Sequence, residues 1–242
     1  MEDDIAVIRM DHGKVNAMDL EFCYAVNESL DKVLASDCKA AVLTGNDRVF
    51  SAGVDLVRIV NEDEDYLSKF LPALVRCLKG IFQFEKPLVA AINGHAIAGG
   101  CLLASACDRR LIHGKARIGL PELRVGVPLP SVAIEIIRFV AQPCAFQTMV
   151  TVGQTYRGQE AIDVGLADVV VDRETLLESA KRAARDLTAI PESVFRVSKN
   201  QMRANACRQI LQNEVSFDED VFELWKSDEI LEIIEQYVQS RL

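Results

Sequence analysis

Positive charge is scarce in this chain: 27 Lys and Arg stand against 36 Asp and Glu, a net charge of −9. Nucleic acid and anionic membrane surfaces are thereby excluded as partners, because both are held by basic patches. A polyanionic ligand would be gripped by local donors instead of by the overall field. CxxC pairs are missing too. The seven cysteines (Cys23, Cys38, Cys77, Cys101, Cys107, Cys144 and Cys207) are scattered, mostly among apolar neighbours. That excludes zinc and dithiol redox motifs and leaves buried reduced thiols. Met1-Glu2-Asp3-Asp4 lacks the basic stretch and apolar run of a secretory signal. The longest apolar run, Pro87 to Cys107, is broken by Asn93, His95 and glycines, and it begins as a strand. It reads as a buried strand, turn and helix, not a membrane span. A cytoplasmic protein is expected. No GxSxG occurs and no Ser, His and Asp share a recognisable spacing, so acyl-enzyme chemistry lacks support. Gly94, Gly99 and Gly100 do not form GxGxxG, and no acidic residue follows about 20 positions on in a βαβ setting, which argues against NAD. No metal-ligand set is visible.

Half of the 242 residues are hydrophobic, enough for one large domain or one domain plus a small appendage. Ile5 to Met10 reads as a strand. Asp19 then caps a helix whose apolar face runs through Phe22, Val26, Leu30, Val33 and Leu34. Strand 40–45 follows, then an amphipathic helix over 65–82, strand 87–92, and an all-apolar helix from Cys101 to Cys107 that must be fully buried. Short strands fit 109–112, 116–118 and 167–171, with helices at 131–141, 143–151 and 158–164. From Glu174 the pattern is helical. This alternation followed by a helical tail predicts an α/β fold with a C-terminal α-helical region. Phe217, Phe222, Trp225, Ile230, Ile234 and Tyr237 in that tail carry more apolar surface than one exposed segment holds, so it packs on the core or on another subunit.

Two glycine-containing turns stand out, Ser51-Ala52-Gly53-Val54-Asp55-Leu56 and Asn93-Gly94-His95-Ala96-Ile97-Ala98-Gly99-Gly100. Each follows an apolar strand, and the second opens a helix whose free N–H groups and dipole favour negative charge. Two such donors aimed at one carbonyl oxygen would form an oxyanion hole. Glu122, in Gly119-Leu120-Pro121-Glu122-Leu123, is the best acid or base: apolar surroundings would raise its pKa. Pro121 and Glu122 also suit the first positions of a helix, where glutamate serves the dipole. Asp55 reads as a helix cap. His95 reads as packed and hydrogen-bonded, and Lys14 as a loop lysine able to meet a phosphate.

Five segments in order resemble the crotonase superfamily, the enoyl-CoA hydratase and isomerase family. They are Lys14-Val15-Asn16-Ala17-Met18, Phe50 to Leu56, Lys86 to Gly100, Gly119 to Glu122, and Gly165-Leu166-Ala167-Asp168-Val169-Val170. The resemblance implies a crotonase-like ββα spiral core over 1–190 that binds acyl-CoA. A helical region over 191–242 would build a homotrimer or a dimer of trimers. It implies an acyl-CoA substrate and no metal or redox cofactor. The N–H groups of Val54 and Gly99 would bind the thioester oxygen. Ala52, Gly53, Asp55 and Leu56 would line the CoA site, with Lys14 near its phosphates.

Hydratases of the family use two glutamates; Glu122 matches one, and Leu102 stands where the other would be. The aspartate of the dienoyl isomerase branch is Pro130 here. A lone glutamate resembles the Δ3,Δ2-enoyl-CoA isomerase branch, in which one carboxyl group carries a proton from C2 to C4. That is the expected activity. The alternatives are a hydratase of low efficiency or one with a replacement acid, for which Glu62, Asp63 and Glu64 are candidates, and a non-catalytic acyl-CoA-binding protein. The pocket wall is expected from 57–75 and 127–135.

Overall fold

A computed structural model describes residues 4–46 and 49–240. The acidic Met1-Glu2-Asp3 and the end of the tail, Arg241 and Leu242, lie outside the described residues. The chain repeats a unit of strand, strand and helix. β1 (Ile5–Arg9) and β2 (Ala17–Met18) lead to α1 (Leu20–Leu34). β3 (Ala40–Thr44), β4 (Val49–Ser51) and β5 (Gly53–Val54) lead to α2 (Leu56–Asn61) and α3 (Glu64–Phe82). β6 (Leu88–Ile92) and β7 (His95–Ile97) lead to α4 (Gly99–Ala106). β8 (Arg109–His113) and β9 (Arg117–Gly119) lead through a 3-10 turn (Glu122–Val125) to α5 (Ser131–Val140) and α6 (Pro143–Val152). β10 (Thr155–Arg157), α7 (Gly158–Asp163), β11 (Val169–Val171) and α8 (Leu176–Thr188) follow. The remainder is α9 (Glu192–Asn213), a π turn, α10 (Glu219–Lys226) and α11 (Asp228–Gln239).

Within each unit the first strand joins one sheet and the second joins another. β3, β6 and β8 are parallel neighbours in a sheet ordered β1-β3-β6-β8-β11. β4, β7 and β9 are parallel neighbours in a sheet ordered β10-β9-β7-β4. This is the expected ββα spiral. β3 and β6 are buried along their whole length, because helices cover both faces of a parallel sheet. Ala41, Leu43, Leu88 and Ala90 enter the main core, whereas Ala40, Val42, Val89 and Ala91 pack on Ala180 and Ala184 of α8.

Asp19 caps α1 by accepting the Phe22 N–H at 2.8 Å, and Asp63 caps α3 by accepting that of Tyr66 at 3.0 Å. α4 is buried at every position, as its lack of a polar side requires. α9 docks differently. Its buried positions Lys199, Arg203, Ala206 and Ile210 share one face, and the first two are cations. Asp108 answers both: Oδ2 accepts from Lys199 at 2.8 Å and Oδ1 from Arg203 at 2.9 Å.

Two expectations need correction. The glycine turns are not bare turns; they hold the short strands β5 and β7, formed by register with neighbours because two or three residues carry no period. Cys144 is exposed, since α6 buries only Met149 despite its apolar composition. The tail packs back on its own core through Trp225 and Ile234, and Trp225 Nε1 donates to the Pro128 carbonyl at 3.0 Å. Among the described residues, no helix is long and apolar enough to cross a membrane.

Candidate active site

Because β4, β7 and β9 run parallel side by side, the chain leaves all three at one edge of the small sheet. The carboxyl edge of parallel strands is where α/β folds place ligands. Val54 follows β4, Gly99 follows β7 and Glu122 follows β9; all three line one cavity of about 350 Å³.

The first two are brought together by backbone packing. Gly53 has φ +90°, and a Cβ there would lie 2.6 Å from the Ala98 Cβ and 3.0 Å from the Gly99 nitrogen. Only glycine permits that approach. The Asp55 N–H donates to the Met18 carbonyl at 3.0 Å, and Met18 pairs with Val54 in register. Donors alternate along a parallel strand, so the Val54 N–H is turned away from β2. Gly99 is the first residue of α4, ahead of the Cys101 and Leu102 N–H groups that bond to the Ala98 carbonyl. Its N–H therefore has no partner in the helix and sits at the positive end of the dipole. Ala98 holds this turn at φ 56° and ψ −127°, a conformation that costs a non-glycine residue about 1–3 kcal/mol.

Glu122 is 7% exposed, and its Oε2 atom is buried without a hydrogen-bond partner. Burial pushes its pKa up to about 8, opposed only by its own backbone N–H. Leu102, Val127, Leu129 and Pro130 share the cavity with it. Glu122 opens a four-residue 3-10 turn and not an α-helix, so the expected helix-start role loses the macrodipole that motivated it.

The other expected residues divide. Ala52, Asp55 and Leu56 line the cavity, and Asp55 also caps α2 by accepting the Arg58 N–H at 3.0 Å. Gly53 lies behind the wall, shaping the turn and not lining the cavity. Lys14 is exposed next to the mouth residue Val15. His95 is on the surface and not packed, although its Nδ1 accepts the Arg117 N–H at 3.0 Å. Glu62 pairs with Arg58, Asp63 caps α3, and neither they nor Glu64 line the cavity. The wall draws on both expected segments, through Val57, Leu74 and 127–130, and on residues the sequence did not point to: Leu78, Trp225, Tyr237 and Val238. The last three arrive from α10 and α11; the apolar content of the tail pointed to packing on the core or on another subunit, and nothing in it pointed to the cavity. Among the described residues, no group of three or more His, Cys, Asp or Glu side chains is placed to hold a metal.

Parallel-strand spiral, paired amide turns and a buried lone carboxyl together define a crotonase-type enzyme. The enoyl-CoA hydratase/isomerase family model matches residues 1–241, and the chain belongs to that family. It is 30% identical over 240 residues to human mitochondrial enoyl-CoA delta isomerase 1, covering 97% of this chain and 79% of that one. A putative enoyl-CoA hydratase of Thermus thermophilus is 30% identical over 207 residues, covering 83% and 81%. The crystal structure of human mitochondrial delta3-delta2-enoyl-CoA isomerase superposes with a TM-score of 0.92 at 26% identity, covering 98% of this chain and 94% of that one.

Proposed function

We propose that this enzyme shifts the double bond of a 3-enoyl-CoA to the 2-position, with Glu122 as the only proton carrier. In this reading the ionised Glu122 removes a proton from C2. The thioester becomes an enolate whose oxygen receives the N–H groups of Val54 and Gly99. Glu122, now protonated, returns the proton at C4. A carboxylate stripped of water is a stronger base than one in solution, which narrows the gap to a weakly acidic C–H. The observation that carries the reading is the buried carboxyl of Glu122, its Oε2 without a partner, in a cavity lined mainly by apolar groups, with Asp55 the other carboxylate in its lining. Leu102 supports it, because leucine can neither orient water nor exchange a proton.

Ala52, Asp55 and Leu56 then flank the CoA arm, with Gly53 shaping that wall and Lys14 at the mouth available to its phosphates. The reaction so written needs no metal or redox cofactor. A homotrimer or dimer of trimers in the cytoplasm completes the reading. Val194 and Val197 near the start of α9, and Leu211 and Val215 near and just after its end, support assembly, since they are large apolar side chains left exposed. A monomer by sedimentation would contradict it. The hydratase alternative rests on the name of the Thermus relative.

The test gives the protein a 3-enoyl-CoA and, separately, a 2-enoyl-CoA, following the absorbance of the conjugated thioester. A rise with the first supports isomerisation. A fall with the second and no change with the first would replace it by hydration. Binding of both with neither signal would make the protein a non-catalytic binder.

A further inference from the structure

The lining of the cavity has an open end and a closed one. Val15 and Val57 are 42% and 50% exposed and mark the mouth, whereas Leu74, Leu78 and Trp225 are 4%, 0% and 2% exposed. Trp225 is the largest side chain at the closed end. It is fastened there, since its indole N–H donates to the carbonyl of Pro128, itself a lining residue. The geometry points to Trp225 as the end wall that limits how long an acyl chain enters, a specificity residue contributed by α10. This inference rests on the acyl-CoA reading above.

A cavity of about 350 Å³ closed by a fastened indole has a limit of length. Short and medium acyl chains fit in front of the indole, and long chains meet it. The wall is shaped without charge, so it sorts substrates by length and not by polarity.

Trp225 is the sole tryptophan of the chain, so its emission reports on this end of the cavity alone. The wild-type protein is titrated with free CoA and with saturated acyl-CoA esters from acetyl to hexadecanoyl, exciting the indole selectively. Free CoA and acetyl-CoA are expected to leave the emission unchanged. Octanoyl-CoA is expected to shift it, and affinity is expected to fall at least tenfold from octanoyl to hexadecanoyl. Trp225→Leu moves the affinity optimum to longer chains by two to four carbons, whereas Trp225→Phe keeps the wild-type order. An emission change that is the same for every chain length, with flat affinity, overturns the wall while leaving the acyl-CoA reading intact. Failure of every ester to bind overturns both. Length-dependent binding without isomerisation upholds the wall and overturns the proposed reaction.

Discussion

Asp108 and Glu122 are carboxyl groups near opposite ends of one buried helix, and the fold treats them in opposite ways. Asp108 lies just past the C-terminus of α4, where the dipole disfavours an anion. It is fully answered there: Lys199 and Arg203 donate to its two oxygens, and the Leu88 N–H adds a third bond at 2.8 Å. Glu122 shares a cavity with the N-terminus of the same helix and receives no partner at Oε2. The first is a fastening that holds α9 to the core. The second is left reactive at a cost in stability. A group that must accept and release a proton cannot also be locked in an ion pair.

The contrast breaks hardest at Asp108. Asp108→Ala leaves two buried cations without an anion and is expected to cost about 3–5 kcal/mol in denaturant unfolding. Glu122→Gln removes a buried charge that only its own backbone N–H offsets, so at pH 8 and above it should not destabilise and should raise the melting temperature. Equal losses from the two substitutions would erase the distinction. Next comes Gly53→Ala. At φ +90° its Cβ would lie 2.9 Å from the Ile97 carbonyl oxygen and 3.0 Å from the Gly99 nitrogen, so the two amide turns must part. Losing one oxyanion donor costs about 10²–10³ in kcat, measured with a 3-enoyl-CoA.

The pH dependence of stability sharpens the same comparison. Glu122 is raised from 4.5 to about 8. Between those values the native state holds a proton that the unfolded chain has lost, so stability falls as pH rises. Lys199 is lowered from 10.5 to about 8 by burial, with Arg203 adding to the effect and Asp108 opposing it. Between about 8 and 10.5 the unfolded chain holds the extra proton, so stability rises with pH. The two contributions meet in a minimum near pH 8, a few kcal/mol deep by linkage. Melting curves should show it. Glu122→Gln should flatten the lower limb and Lys199→Met the upper one. The smallest effect is expected at the strained turn. Ala98→Gly trades relief of the positive φ for unfolded-chain entropy and should stay within about 1 kcal/mol of wild type.

Much of this was legible in the sequence, for identifiable reasons. The long helices α1 and α3 carry a helical period and capping aspartates, and the buried strands β3 and β6 are unbroken apolar runs. The two amide turns and Glu122 sit in short segments with a strong family resemblance. Among the two- and three-residue strands, β9 and β11 overlap the expected 116–118 and 167–171, whereas β2, β4, β5, β7 and β10 were not legible, because they exist only through pairing. The Asp108 cluster was hidden as well. Its members lie far apart in the chain, and Lys199 and Arg203 at helical spacing look like a solvated face. Trp225, Tyr237 and Val238 reach the cavity only because the tail folds back over it.

The most direct measurement is the rate of 3-enoyl-CoA isomerisation by Glu122→Gln alongside its affinity for a saturated acyl-CoA. Loss of about 10²–10⁴ in rate with affinity within a few-fold of wild type is the predicted result. Wild-type turnover by Glu122→Gln would contradict the account, because another group would then be moving the proton.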